Sequence, residues 1–497
     1  MSYGLEFSQA LKDNIKRTYT YSFAVNTLGH QGNADGYDPL WLFEKELKND
    51  PFVAFMRLER YGYKNTLNAI QRYKIPYTPE QERRARVKYE VTETMLANRS
   101  DAVYMYIEDL TGTGVVDLGD YQLTTYDTLR VTQFIHHLNV NQTTNNVYYP
   151  HHVRGKLTSE QEKAVKNALK YQFSCLIGGA GTGKSYVTST IIDQLHANKK
   201  RVAILAPTHK AREALQDKLS TGVGEVRTIH SYVHGKTDRM FDAIVIDEAG
   251  MISTPLMDML IKAYHAGQQL LFVGDKNQLE PVEYGRPFEL LMNRLKIAEL
   301  KENHRSESRD IISLGRELLG ETVNRNIDIT NIQIVDTIQE AFNRGAEVLL
   351  TFTNKDVQYV NDEQKLKHTD KAISSDFSVG DKIIAKTNNA PHYYNGQLFE
   401  LIAYDKARNV RTHTIITFKT WQDLKYNFDL AYGLTIHKSQ GSEWGTVAYL
   451  PSEYDTRNLA YVAVTRAKHK LILVGDLPDT NQLKQAKEWK HLEVNSL

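Results

Sequence analysis

The residues with the most chemistry in this chain stand in one run: Gly178, Gly179, Ala180, Gly181, Thr182, Gly183, Lys184 and Ser185. Together they satisfy G-x-x-x-x-G-K-[ST] without a mismatch. Glycines let the backbone turn tightly enough for consecutive N–H groups to surround phosphate oxygens, and a helix opening at the end of the run adds a favourable dipole. In such a loop Lys184 reaches the β- and γ-phosphates and the Ser185 hydroxyl ligates Mg²⁺. The apolar run Phe173-Ser-Cys-Leu-Ile177 before it reads as a strand, and Tyr186-Val-Thr-Ser-Thr-Ile-Ile-Asp-Gln-Leu195 after it reads as a helix. That strand–loop–helix context makes the run a nucleoside triphosphate site rather than a Gly-rich turn.

Hydrolysis needs a second set of groups. Phe241-Asp-Ala-Ile-Val-Ile-Asp-Glu-Ala-Gly250 is an apolar, β-branched run ending in two carboxylates, Asp247 and Glu248. A buried parallel strand delivers such residues from its C-terminal end to the ligand crevice. Asp247 is expected to hold Mg²⁺, and Glu248 to orient and deprotonate the attacking water.

These motifs must be positioned by a large scaffold. A chain of 497 residues with 41% hydrophobic content predicts two or more globular domains. No apolar run is long enough to span a bilayer, and the N-terminus lacks the charged-then-apolar pattern of a signal peptide. A single cysteine, Cys175, excludes an internal disulfide and disfavours a cysteine metal cage, in keeping with a cytoplasmic protein. With 61 basic and 60 acidic residues, any nucleic-acid binding must come from a local groove rather than a bulk field.

Residues 1–150 read as a mainly helical N-terminal domain with a basic stretch, Gln81-Glu-Arg-Arg-Ala-Arg-Val-Lys-Tyr89, ending in an Asn-rich linker at 139–146. From Leu157 onward, short apolar strands alternate with helical segments, which predicts an α/β fold around parallel sheets. Val202-Ala-Ile-Leu205, Ile244-Val-Ile246, Leu270-Leu-Phe-Val273, Val348-Leu-Leu350 and Leu471-Ile-Leu-Val474 are strands in that reading. They exceed what one nucleotide-binding sheet requires, so they divide between domains at 151–298 and 299–497. Within the second, residues 376–430 are β-rich, with a turn signal at Asn395-Gly396, and read as a small SH3-like antiparallel barrel.

From Leu157 to the C-terminus the chain resembles superfamily 1 helicases of the RecD-like branch, which includes the phage Dda helicase. The motifs arrive in order: Leu157-Thr-Ser-Glu-Gln161, the loop at 178–185, Leu205-Ala-Pro-Thr-His-Lys-Ala211, Thr228-Ile-His230, Asp247-Glu248 and Gly274-Asp-Lys-Asn-Gln278 with Pro281-Val282. Leu300-Lys-Glu-Asn-His-Arg305, Thr351-Phe-Thr-Asn-Lys355, Tyr432-Gly-Leu-Thr-Ile-His-Lys-Ser-Gln-Gly441 and Tyr461-Val-Ala-Val-Thr-Arg-Ala-Lys468 follow. The resemblance implies two tandem RecA-like P-loop NTPase domains, ATP and Mg²⁺ as substrate and cofactor, and 5′→3′ movement on single-stranded DNA. It makes Gln161 the reader of adenine and Gln278 a sensor of the γ-phosphate. Arg305 and Arg466 become the arginines that reach the γ-phosphate when the two domains close, acting as fingers do.

The same motifs suggest the nucleic-acid face. Pro207, Thr208, His209, Thr228, His230, Thr435 and His437 lie at predicted strand ends or in loops, where hydroxyl and imidazole donors meet phosphates without reading sequence. Lys210 and Lys438 could neutralise backbone charge.

Residues 49–76 are similar to the helix–hairpin–helix region that precedes the motor in longer relatives, with a turn around Gly62. Arg83, Arg84, Arg86 and Lys88 on the next helix either meet DNA or belong to a scaffold. One departure from the family stands out. Residues 231–240 leave room only for a short hairpin turning at Gly235, where relatives carry a longer strand-separating pin. The expectation is an ATP-dependent DNA helicase of replication, recombination or repair acting on single strands and fork junctions, with unidentified replication or recombination proteins as partners and no membrane. An RNA or hybrid helicase and an ATP-gated DNA remodeller are the alternatives.

Overall fold

The computed structural model describes the chain outside residues 1–6, 20–37, 57, 59–62, 106, 108, 119–121, 151–152, 154, 220–225, 235–240, 304–308, 322–329, 366–375, 388, 390–391, 477–482, 484–487 and 493–497. Its centre is a six-stranded, all-parallel sheet in the order β6-β5-β7-β8-β4-β9. The strands are β4 (Phe173–Gly178), β5 (Val202–Ala206), β6 (Val226–Thr228), β7 (Ala243–Ile246), β8 (Gln269–Gly274) and β9 (Lys296–Leu300). β4, β5, β7 and β8 are buried along their whole length. Helices cover both faces of this sheet, so strand residues of either parity are apolar.

A second parallel sheet follows, in the order β10-β19-β18-β11-β17. It comprises β10 (Ile332–Val335), β11 (Val348–Thr351), β17 (Gly433–Thr435), β18 (Trp444–Tyr449) and β19 (Ala467–Val474). Between β11 and β17 the chain builds an antiparallel five-stranded sheet, β15-β14-β13-β12-β16. Its members are β12 (Lys382–Ala385), β13 (Leu398–Ala403), β14 (Lys406–Asn409), β15 (Ile415–Thr417) and β16 (Phe428–Leu430). Phe377, Tyr393, Phe399, Phe418 and Phe428 fill a core of its own. Gly396 takes φ +89°, as the Asn-Gly turn requires.

Several expectations need correction. The Asn-rich stretch at 139–146 is laced onto the first sheet rather than hanging as a linker. Gln172 N–H donates to the Gln142 carbonyl, Thr144 Oγ1 to the Leu169 carbonyl, and Asn146 Nδ2 to Gln269 Oε1. Just before it, helix Tyr126–His137 puts Val131 and Ile135 into one apolar core with Phe173, Ile244, Met257 and Phe272. The first α/β unit therefore begins near residue 126, and it ends with β9 at Leu300, so a border at 298 would cut a strand.

The N-terminal region is also less purely helical than expected. Helices Gln9–Thr18, Pro39–Asn49, Pro51–Met56 and Tyr63–Arg72 share one core around Phe43, Phe52, Phe55 and Ile70. After helix Pro79–Asn98 comes a three-stranded antiparallel sheet, β1-β3-β2, made of β1 (Val103–Tyr104), β2 (Val115–Asp117) and β3 (Gln122–Thr125). The end of the chain returns to this region. Ser100 bridges Lys490, and Trp489 packs with Val91, Met95 and Val103. Residues 488–492 thus belong structurally with the N-terminal region and not with the second sheet. Among the described residues, no helix is long and apolar enough to cross a membrane.

Candidate nucleotide site and nucleic-acid interface

The parallel strand order brings the phosphate chemistry to one edge. The phosphate loop leaves β4, Asp247 and Glu248 leave β7, and Asp275 leaves β8, which lies between those two strands. Gly181 and Gly183 adopt φ +78° and +83°, a left-handed backbone that side chains disfavour. Gly178 is needed for close approach, since a Cβ there would stand 2.6 Å from Thr182 Oγ1. Helix Lys184–Ala197 starts from Gly183 with no side-chain cap, so its first N–H groups are open to an anion. Lys184 Nζ folds over this cradle, donating to the carbonyls of Gly178 and Gly179 at 2.5 and 2.9 Å.

The residues present therefore fit a triphosphate. Among the described residues there is no group of three or more His, Cys, Asp or Glu that could hold a metal alone. Mg²⁺ uses one or two protein oxygens and otherwise phosphates and water, and Ser185 and Asp247 would be the protein groups to supply them. Glu248 sits at φ 52°, ψ 41°, a left-handed conformation uncommon outside glycine. Such strain clusters where a side chain must be aimed at a function.

Gln161 is more constrained than the adenine-reading role implies. It is 4% exposed, and its Oε1 accepts the Thr158 N–H in a capping box that starts helix Ser159–Lys170. Arg305 lies outside the described residues. Arg466, 6% exposed, holds its guanidinium against the Val462 and Ser442 carbonyls, both at 3.3 Å.

The loop after β8 is where the regions of the molecule meet. Leu279 inserts into the core of the second sheet. Asn458 Nδ2 donates to the Asn277 carbonyl at 3.1 Å, Gln440 Nε2 reaches the Leu279 carbonyl, and Tyr461 Oη donates to Asp275 Oδ2 at 3.1 Å. From the N-terminal region Arg99 pairs with Glu280. Gln278 lies in this junction, beside a cavity of about 460 Å³ that also meets Asp275, Arg286 and Trp489. The roles of Tyr461, Asn458 and Arg99 were not visible in the sequence, because no local pattern marks a residue whose partner lies on another sheet.

On the nucleic-acid side, three expected threonines share one structural role. Thr208, Thr228 and Thr435 each end a strand or loop and cap the following helix, their Oγ1 accepting the N–H groups of Ala211, Ser231 and Lys438. Capping uses an acceptor lone pair and leaves the hydroxyl proton available. Thr208 is exposed, while Thr228 and Thr435 are buried, as is Pro207. Thr208 and His437 do come together, with Lys210, Lys438, Lys386 and Asn395, around a cavity of about 470 Å³. Lys210 donates to the Lys438 carbonyl and lies 5.8 Å from the Trp444 ring centre. Burial, helped by the Arg466 charge, pulls its pKa down to about 7.

His209 departs from expectation. Its ring stacks on Tyr394 of the β insert at 4.1 Å and 15°, with Arg212 over the same tyrosine. Burial and the Arg212 charge lower its pKa to about 4, so it is neutral and packs the insert rather than offering charge to a phosphate. His230 is exposed on the short helix Ile229–His234 and does not line the cavity. That helix takes up the first four residues of the expected hairpin, and Gly235 and the rest, 235–240, lie outside the described residues. Gly62 of the expected N-terminal turn also lies outside them. On helix Pro79–Asn98 the arginines face acids: Arg83 pairs with Glu80 and Asp109, and Arg84 and Arg86 have Asp50 and Glu90 nearby. That is the pattern of a scaffold.

Known proteins agree with this reading. Residues 156–339 match the AAA domain family, and residues 430–474 match the UvrD-like helicase C-terminal domain. The chain is similar to the ATP-dependent RecD2 DNA helicase of Deinococcus radiodurans, 27% identical over 360 residues, covering 66% of this chain and 50% of that protein. It is 26% identical over 396 residues to the RecBCD enzyme subunit RecD of Mycolicibacterium smegmatis, covering 64% and 70% of the two chains. It thus spans about half the length of the RecD2 relative. Among solved structures, the Pif1 helicase from Candida albicans aligns with a TM-score of 0.45 and 19% identity, over 67% of this chain and 97% of that one. With its ordered motifs carried on two parallel sheets, the chain is similar to the superfamily 1 helicases of the RecD-like branch.

Proposed function

We propose that this protein is an ATP-driven DNA helicase motor that moves 5′→3′ along single-stranded DNA and uses ATP with Mg²⁺. The observation that carries the reading is a polar cavity built from three parts of the fold, where three lysines outnumber one carboxylate, Asp429, which pairs with Lys386 at 3.0 Å. Thr208 and Lys210 come from the first α/β unit, His437 and Lys438 from the second, and Lys386 and Asn395 from the β insert. A strand whose phosphates are held there spans both sheets, so any change in their spacing moves the strand. Ser185 and Asp247 would hold the Mg²⁺ that accompanies ATP, which would supply charge neutralisation at the phosphates. Lys184 and the P-loop amides hold the phosphates, Glu248 takes the proton of the attacking water, and Arg466 adds positive charge from the second unit. The 5′→3′ direction, fork junctions as substrates, and replication, recombination or repair partners are supported by the resemblance to RecD-like proteins.

The deciding experiment compares unwinding of 5′-tailed and 3′-tailed DNA duplexes, with RNA and hybrid forks alongside. Unwinding confined to 5′-tailed DNA is expected. Lys184→Ala is expected to remove DNA-stimulated ATPase while leaving the fold intact, and Glu248→Gln to trap bound ATP. Preference for RNA or hybrids, or ATP-driven protein displacement without unwinding, would replace the DNA-helicase reading.

A further inference from the structure

The phosphate loop is touched from the opposite α/β unit by a group to which its motif assigns no role. Tyr461 lies in helix Arg457–Thr465, is 3% exposed, and points its hydroxyl across the cleft. That oxygen accepts the Ala180 N–H at 3.0 Å and donates to Asp275 Oδ2 at 3.1 Å. Gly179 leaves room for it, since a Cβ there would stand 3.1 Å from the same oxygen. The ring has little freedom to withdraw. Helix Arg309–Leu318 crosses so closely that a Cβ on Gly315 would lie 3.2 Å from Tyr461 Cδ2.

The direction of the two hydrogen bonds matters. A hydroxyl has one proton, and here an acceptor-only carboxylate takes it, so toward the loop Tyr461 can only accept. Burial and the Asp275 charge raise its pKa, which keeps that proton in place. A phosphate oxygen presents the same face to the same amide. The N–H groups of this loop are the ones that surround phosphate, and one N–H cannot serve two acceptors at full strength.

We propose that the Tyr461 hydroxyl is a latch on the nucleotide site, standing on the Ala180 N–H where a phosphate oxygen would otherwise be held and giving way to the triphosphate when it binds. The latch rests on the reading of residues 178–185 as a triphosphate site. It links nucleotide occupancy to the second unit, because the helix that carries Tyr461 runs directly to Arg466. Tyr461 acts as a positioning residue: it sets when the loop is free and when its own helix is released.

Tyr461→Phe removes the oxygen and keeps the ring. In titration calorimetry of the full chain with a non-hydrolysable ATP analogue and Mg²⁺, without DNA, the variant is expected to bind about 3–10-fold more tightly than wild type, the worth of one competing hydrogen bond. Its melting temperature without nucleotide is expected to fall. A purely structural tyrosine would leave affinity unchanged or weaken it, and either result overturns the latch. Failure of the wild-type chain to bind the analogue would instead overturn the triphosphate reading beneath it. Gly179→Ala in both backgrounds tests the contact separately. The added methyl meets the hydroxyl only when Tyr461 is present, so it should lower the melting temperature more in wild type than in Tyr461→Phe. Equal losses would show that the hydroxyl does not sit on the loop.

Discussion

Arg99 and Glu280, 181 positions apart in sequence, form a two-pronged ion pair that joins the N-terminal region to the loop after β8. The same carboxylate holds Arg286, a nearly buried arginine whose guanidinium lies over Trp489. Arg286 Nε and Nη1 have no other partner among the described residues. The two ends of the carboxylate's network are therefore unequal. Arg99→Ala is expected to cost about 1–2 kcal/mol, since Glu280 keeps a partner. Glu280→Ala strands a buried cation and is expected to cost more, about 3–5 kcal/mol. Denaturant titrations of both variants measure the order, and a larger loss from Arg99→Ala would contradict this account.

Truncation separates the true start of the first α/β unit from its apparent one. A chain beginning at residue 149 loses Val131 and Ile135 from the core beneath β4 and β7, and loses the hydrogen bonds of 142–146. It is expected to be insoluble or to melt far below the full chain. A chain beginning at residue 78 removes only the helices that share their own core, and keeps the Thr78 capping box and helix Pro79–Asn98. That chain is expected to retain a cooperative melt and DNA-stimulated ATPase. If the shorter chain melted as well as the longer, helix Tyr126–His137 would be dispensable.

Arg466 holds structure in place, and the proposed finger role adds chemistry to it. Arg466→Ala should lower DNA-stimulated turnover on the order of 10³-fold if the guanidinium acts as a finger. It should also cost about 2–3 kcal/mol, because a buried carbonyl, that of Val462, and a part-buried one, that of Ser442, lose a charged donor. Arg466→Lys keeps the charge but not the planar fork. It should recover part of the stability and little of the turnover. Paired melting and ATPase measurements on the two variants check this, and full DNA stimulation of the alanine form would exclude the finger role.

The return of the chain end is expected to depend on pH. Burial by itself would depress the His491 pKa. Its hydrogen bonds to Asp101 and Glu289, both at 3.2 Å, and their charges outweigh that and raise it to about 9. A folded-state pKa above the unfolded value of about 6.5 means the contribution is full below pH 6.5 and is lost as pH rises toward 9. Wild type should therefore lose up to a few kcal/mol relative to His491→Gln between those limits. Trp489, whose Nε1 donates to Asp101, provides the fluorescence signal. Parallel stability–pH curves for the two proteins would show that His491 is not a charged anchor.

What the sequence determined by itself was everything written in contiguous residues. The phosphate loop is one such case, since its eight residues form the whole cradle and the strand and helix beside it are local. β4, β5, β7 and β8 are another, because burial on both faces makes a continuous apolar run that no surface element resembles. The edge strands were not legible. β9 and β10 are partly exposed, and Lys296-Ile-Ala-Glu-Leu300 carries the mixed polarity of a loop. The Asn-rich stretch misled for a related reason: its side chains and backbone satisfy hydrogen-bond groups at the rim of the sheet, a task that selects polar residues as a linker does.

Tertiary structure alone decided which residues face one another across the cleft. The Tyr461 hydroxyl meets Ala180 over 281 positions, and Trp489 meets Asp101 over 388. His209 had a motif's position yet became packing for Tyr394, because the β insert settles on helix His209–Lys218. Arg83 and Arg84 read as part of a basic stripe until folding set carboxylates from other segments, Asp109 and Asp50, beside them. Such pairings depend on how two sheets, an insert and a returning chain end lie relative to each other. That arrangement is settled by the burial of many side chains at once, so no short window of sequence carries it.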